Sequence, residues 1–87
     1  MEERRALVLL TREDCELCDE FLAELRQLAR RLPLPPLELR LVDSDPQMQR
    51  RFGLKVPVLL WDDVPIAATR LDATELARLF RPGRGAS

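Results

Sequence analysis

Histidine and tyrosine are absent from the 87 residues, and lysine occurs once, at Lys55. Without histidine the chain cannot build a Ser-His-Asp hydrolase, a Cys-His protease or a His-ligated metal site, so carboxylates and thiols are what remain for chemistry. An excess of either charge is lacking too. Fourteen basic residues face fifteen acidic ones, for a net charge of −1, which argues against a broad attraction to nucleic acid or anionic membrane. No apolar run approaches the roughly 20 residues of a membrane span. The stretch that follows MEERR is too short, and without a small-residue cleavage site, to read as a secretory signal. The expectation is a cytoplasmic protein whose thiols are kept reduced, and the near-exclusive use of arginine is read as coding bias. The length suits a single domain over 1–87, with its core over 6–80 and a frayed tail over 81–87 that holds Pro82, Gly83 and Gly85. No internal repeat or linker is visible.

What is present is concentrated in Thr11 to Glu20, TREDCELCDE, which carries both cysteines, Cys15 and Cys18. An apolar run leads in and an amphipathic helical pattern leads out, so the pair sits where a strand hands over to a helix. The first N–H groups of a helix lack intrahelical partners and the dipole is positive there, which favours a thiolate on Cys15. Cys18 falls on the same face three residues on, close enough for a disulfide to open and close. Random placement would produce this spacing in roughly one chain in forty of this length. A structural zinc site needs more ligands than two thiols, and a static disulfide closing so short a loop would stabilise little. Redox or thiol chemistry is the reading that uses both residues.

Along the chain, Ala6 to Leu10 is a continuous apolar run, as in a strand buried on both faces. Leu17, Phe21, Leu25, Leu28 and Leu32 form the apolar stripe of a helix that starts near Glu16 and is stopped by Pro33-Leu34-Pro35-Pro36. Leu37 to Val42 alternates, which predicts a strand near a sheet edge, parallel to the first through a right-handed crossover. Asp45 and Pro46 suit the start of a short second helix, Arg50 and Arg51 its last turn, and Gly53 a left-handed exit. Val56 to Trp61 and Val64 to Ala68 read as strands of an antiparallel hairpin about Asp62-Asp63. Asp72 and Glu75 form a capping-box-like start to a closing helix with Ala73, Leu76, Ala77 and Phe80 on one face.

This order, with Cys-x-x-Cys opening the first helix and Val56-Pro57 opening the third strand, resembles the thioredoxin fold. The small size is most similar to the glutaredoxins, and the strings TREDCELCDE and KVPVLLWDD to small bacterial glutaredoxin-like proteins. The resemblance implies an α/β domain, thioredoxin-like βαβαββα, whose four-stranded mixed sheet has helices on both faces. It implies a cis proline at Pro57 beside the cysteine pair. It also implies a substrate site to which Arg12, Val56, Pro57 and Asp72 contribute. Two departures stand out. Ala67-Ala68 lie near where glutaredoxins carry the Gly-Gly that admits glutathione, and five acids, Glu13, Asp14, Glu16, Asp19 and Glu20, crowd Cys15. The acids oppose a thiolate and repel glutathione carboxylates, although acids also stabilise a first helical turn whatever the thiol does.

The expected function is thiol-disulfide oxidoreduction by a dithiol mechanism. Cys15 is the nucleophile and Cys18 the resolving thiol, and no metal or organic cofactor is required. The expected partner is a disulfide-containing protein or glutathione, with glutathione as a candidate reductant or co-substrate, and the chain is expected to be a monomer. The alternative is a non-catalytic thioredoxin-fold module that binds a partner protein or senses redox state. A third arrangement, two chains sharing a metal or cluster through four thiolates, ranks below both.

Overall fold

The computed structural model describes residues 6–81, so the tail expected over 81–87 lies, apart from Arg81, outside the described residues. Strand β1 (Leu7–Thr11) is followed by helix α1 (Glu16–Leu28), strand β2 (Leu37–Leu41) and a 3-10 turn over Val42–Ser44. Helix α2 (Pro46–Phe52), strands β3 (Val58–Trp61) and β4 (Val64–Ala68), and helix α3 (Ala73–Leu79) complete the chain. The strands form one sheet in the order β2-β1-β3-β4. β1 runs parallel to β2 in the register Leu7↔Leu37 to Thr11↔Leu41 and antiparallel to β3, and β3 runs antiparallel to β4. This is the mixed four-stranded α/β architecture expected from the sequence.

The unbroken apolar run of β1 is explained by two cores, one on each face of the sheet. Leu7 and Leu9 join Leu59, Phe21, Leu25, Leu28 and Leu76, under α1 and α3. Leu10 joins Val42, Phe52, Val58 and Leu60 on the α2 side, with Val8 and Met48 packed against them. Successive strand residues point to opposite faces, so a central strand covered twice has no polar position to spare. Trp61 closes the α3 side by an edge-to-face contact with Phe80, ring centroids 5.3 Å apart.

Local chemistry sets the element ends. Asp45 caps α2, its carboxylate accepting from the N–H groups of Gln47 and Met48 at 2.9 and 3.4 Å, and Pro46 occupies the first turn, where a missing N–H costs nothing. Asp62 and Asp63 both take positive φ, 57° and 68°, the signature of the tight hairpin turn that matches strand twist and that aspartate tolerates. Pro65 lies in β4 next to the irregularity at Leu59/Leu60, and β4 is an edge strand, where a residue without an N–H is tolerated. Among the described residues no helix is long and apolar enough to cross a membrane.

Four sequence expectations are corrected. α1 ends at Leu28 rather than near Leu32, with residues 29–32 between it and the prolines; that segment turns away through bonds such as Leu32 N–H to Leu28 O at 2.8 Å. Leu17 is 51% exposed, and Cys18, 3% exposed, takes its place on the buried stripe with Phe21, Leu25 and Leu28. β3 begins at Val58 rather than Val56. Gly53 has φ −55°, not a left-handed value. Glycine is required there for space, because a Cβ would run into the carbonyl oxygen of Gln49.

Candidate functional site

The sheet register gathers one end of the molecule. Thr11, the last residue of β1, is paired with Leu41, and Leu10 with Val58, so the Arg12–Cys15 loop and the Val56–Pro57 segment leave the sheet at the same end. Ala68 pairs with Val58, which brings in the segment after β4, where Thr69 N–H donates to the carbonyl of Pro57 at 2.8 Å. The Val56–Pro57 peptide bond is cis, and Pro57 is fully buried.

Cys15 is the N-cap of α1. Its backbone is extended, its own sulfur accepts from the N–H of Cys18 at 3.1 Å, and its carbonyl accepts from Asp19 N–H at 3.1 Å. Asp14 precedes it with φ 56°, a left-handed turn that short polar side chains accommodate. The sulfur thus occupies the position that a serine or aspartate oxygen fills in an ordinary cap. The N–H it meets is one of the four that the first turn leaves unpaired, so the same contact would stabilise a thiolate when the pair is reduced. Cys15 is half-buried and Cys18 buried. They are joined as a disulfide, Cα atoms 5.2 Å apart. The asymmetry follows from the helix: position 15 is at its solvent-facing start, while position 18 has rotated onto the stripe that packs against the sheet.

The other residues singled out from the sequence fall at this end of the sheet with differing contacts. Arg12 is half-buried and donates from Nη2 to the carbonyl of Gly53, across 41 positions of sequence, tying the β1–α1 loop to the end of α2. Val56 is half-buried and packs against the α2-side core. Asp72 is the N-cap of α3, its carboxylate accepting from Thr74 and Glu75 N–H at 3.0 and 3.2 Å. Glu75 Oε1 lies 3.7 Å from Arg78 Nη1. Glu13, Asp14, Glu16, Asp19 and Glu20 are all exposed.

Sequence reasoning missed a cleft. About 370 Å³ in volume, it lies between α1 and the turn after β4, lined by Leu17, Glu20, Phe21 and Glu24 on one side and Thr69, Arg70 and Leu71 on the other. The turn is tight: Thr69 takes φ 69°, and Arg70 N–H returns to Ala68 O at 2.6 Å. A threonine at positive φ is a genuine backbone outlier, and nothing in the sequence marks it. Leu17, one of the two residues between the cysteines, forms part of the cleft wall, which accounts for its exposure. Asp72→Ala should remove the α3 cap and cost about 1 kcal/mol of stability in a urea titration.

Residues 6–81 match the model of the glutaredoxin-like domain family, DUF836. The chain belongs to this glutaredoxin-like family. The family match spans every strand and helix described above. Similar solved structures include protein Ne2328 from Nitrosomonas europaea, determined by NMR in solution, at 30% identity and a TM-score of 0.78, covering 92% of this chain and 95% of that one. An X-ray structure of XcR50 from X. campestris is also 30% identical, with a TM-score of 0.64 and coverage of 84% and 92%. Thioredoxin 1 from Thermosipho africanus, at 14% identity and a TM-score of 0.57 over 85% and 92% of the chains, shares the fold. No curated protein matches the chain. This is a glutaredoxin-like member of the thioredoxin fold with a Cys15–Cys18 pair at the start of its first helix.

Proposed function

We propose that the protein is a thiol-disulfide oxidoreductase working through the Cys15–Cys18 pair. The observation that carries this reading is the asymmetry of the two sulfurs: a half-exposed Cys15 capping a helix, and a buried Cys18 within disulfide reach of it. In the reduced protein Cys15, as thiolate, attacks one sulfur of a substrate disulfide. The substrate S–S bond breaks, the released sulfur takes a proton from water, and a mixed disulfide remains on Cys15. Cys18 loses its proton to solvent and attacks Cys15 Sγ, which frees the second substrate sulfur. The two electrons gained by the substrate come from the dithiol, which ends as the Cys15–Cys18 disulfide. A thiol reductant, glutathione or a dithiol protein, then returns two electrons to the pair.

The cleft beside Leu17, together with Val56 and Asp72, is the surface on which the substrate segment is received; the buried Pro57 supports it from beneath, and Arg12 holds the loop that carries Cys15. The acids around the pair favour a protein disulfide over glutathione, whose carboxylates they repel. Exposed acids close to a helix start are each worth about 0.3–1 kcal/mol. Part of any gain in thiolate is returned, because a less basic thiolate is less nucleophilic. Glu16→Gln should therefore speed alkylation of Cys15 at neutral pH by up to about twofold, measured with Cys18 replaced by serine. Slower alkylation would mean that burial or a hydrogen bond, not charge, sets the thiol.

The reading as a whole is tested by turnover. With a small dithiol as donor, the purified protein should reduce a disulfide-containing test protein faster than the donor alone. Equal rates across basic and acidic test proteins, no greater than donor alone, would favour the non-catalytic partner-binding or sensing module instead.

A further inference from the structure

Among the described residues, β2 has no strand on its outer side. Leu7 N–H donates to Pro36 O at 2.9 Å, and β1 and β2 run on in parallel register from there. Because peptide groups alternate in direction along a strand, this turns the amide edges of Glu38 and Arg40 toward β1 and those of Leu37, Leu39 and Leu41 outward. The outward carbonyl of Leu41 already accepts from the Ser44 hydroxyl at 2.7 Å. An edge strand is usually blunted by lysine, proline or a bulge. β2 has none of these; its protection is its short length and the charges of Glu38 and Arg40, and on one face it presents Leu39, 48% exposed, and Leu41, 43% exposed.

The order Leu-Glu-Leu-Arg-Leu is the same in kind from either end, with its two charges of opposite sign. If two copies lie antiparallel about Leu39, Leu37 faces Leu41 of the second copy, Glu38 faces Arg40, Arg40 faces Glu38, and Leu39 faces itself. In that register Leu39, whose amide edge points outward, exchanges two backbone hydrogen bonds with its own counterpart. A slip of two residues in total puts Glu38 opposite Glu38, or Arg40 opposite Arg40, and is opposed by charge. The strand therefore matches itself in one register.

We propose that β2 is the interface of a homodimer in which two sheets join into one of eight strands. This departs from the monomer expected from the sequence, and it stands independently of the proposed redox function. The interface is isologous, and its two-fold axis sends the two Cys15 loops, each next to Leu41 through Thr11, to opposite ends of the joined sheet, leaving both sites open. A five-residue edge falls well short of a standard interface of about 1,600 Å², so the dimer is reversible and depends on concentration.

Sedimentation velocity on the whole chain tests this, with the pair kept reduced so that no intermolecular disulfide contributes. The weight-average mass should move from one chain toward two between low- and high-micromolar protein. Glu38→Arg and Arg40→Glu each set like charges across the pair and should weaken self-association by roughly tenfold or more. Both variants also break the in-strand bond between Arg40 Nη2 and Glu38 Oε2, 2.6 Å. An equimolar mixture of the two lacks that in-strand bond in every chain yet should dimerise again, as should the double variant E38R/R40E alone. A wild-type chain that stays monomeric across the range overturns the proposal. So do single variants that associate as well as the wild type, or a mixture that does not recover.

Discussion

Cys15→Ser should bring disulfide exchange down to the rate of the donor alone while leaving the fold intact. The expectation has two halves that come from the same atom. As a nucleophile, Cys15 depends on ionising near neutral pH, which a serine hydroxyl does not do, so the chemistry is lost outright. As a helix cap, its sulfur accepts the Cys18 N–H at 3.1 Å, and a serine oxygen is among the preferred groups for that task. A urea titration of both proteins under reducing conditions should therefore agree within about 0.5 kcal/mol, while turnover differs by the whole of the catalysed rate. Residual exchange near the parent rate would mean that Cys18, despite its burial, is the attacking thiol.

The second large effect is on stability. Leu59→Ala should cost about 2–5 kcal/mol, a large part of the 5–15 kcal/mol typical of a folded domain. Leu59 is fully buried at the centre of β3, paired with Leu9 on one side and Ala67 on the other, and it faces the cluster under α1 and α3. The sheet is ordered on both sides of it and has little freedom to collapse into the space left behind. Leu17→Ala, at a site that is 51% exposed, is the matched control and should stay within about 0.5 kcal/mol. Urea titrations of the reduced proteins measure both. A loss below about 1 kcal/mol at Leu59 would contradict the two-core description.

Signals confined to a few neighbouring residues were legible in the sequence. Asp45 and Asp72 cap their helices, Asp62-Asp63 turns the hairpin, and the two cysteines open α1, because each depends on local backbone geometry alone. The non-alternating run of β1 correctly announced a strand covered on both faces. Leu17 falls on the apolar stripe of α1 by spacing alone, because a leucine at helical spacing looks the same whether it faces a core or a cleft, whereas Leu32 does pack against the core but beyond the end of the helix. Counting Cys18 as an apolar residue would have shifted the stripe to its observed position. Its place after a basic last turn gives Gly53 the look of a helix exit, whereas its small size serves the carbonyl of Gln49. The tie from Arg12 to Gly53 and the cleft against Thr69 to Leu71 join segments far apart in sequence. No spacing rule reaches across such separations.

The central claim, that Cys15 attacks and Cys18 resolves, is tested most directly by trapping. Reduced Cys18→Ser protein is mixed with a disulfide-bonded peptide, and the product is mapped by mass spectrometry. The expected result is one peptide half held on Cys15 as a mixed disulfide that persists, because no second thiol is present to displace it, while the parent protein treated alike ends as the Cys15–Cys18 disulfide with no adduct. Absence of the adduct on Cys15, or an adduct forming as rapidly on Cys18 in the Cys15→Ser protein, would contradict the account.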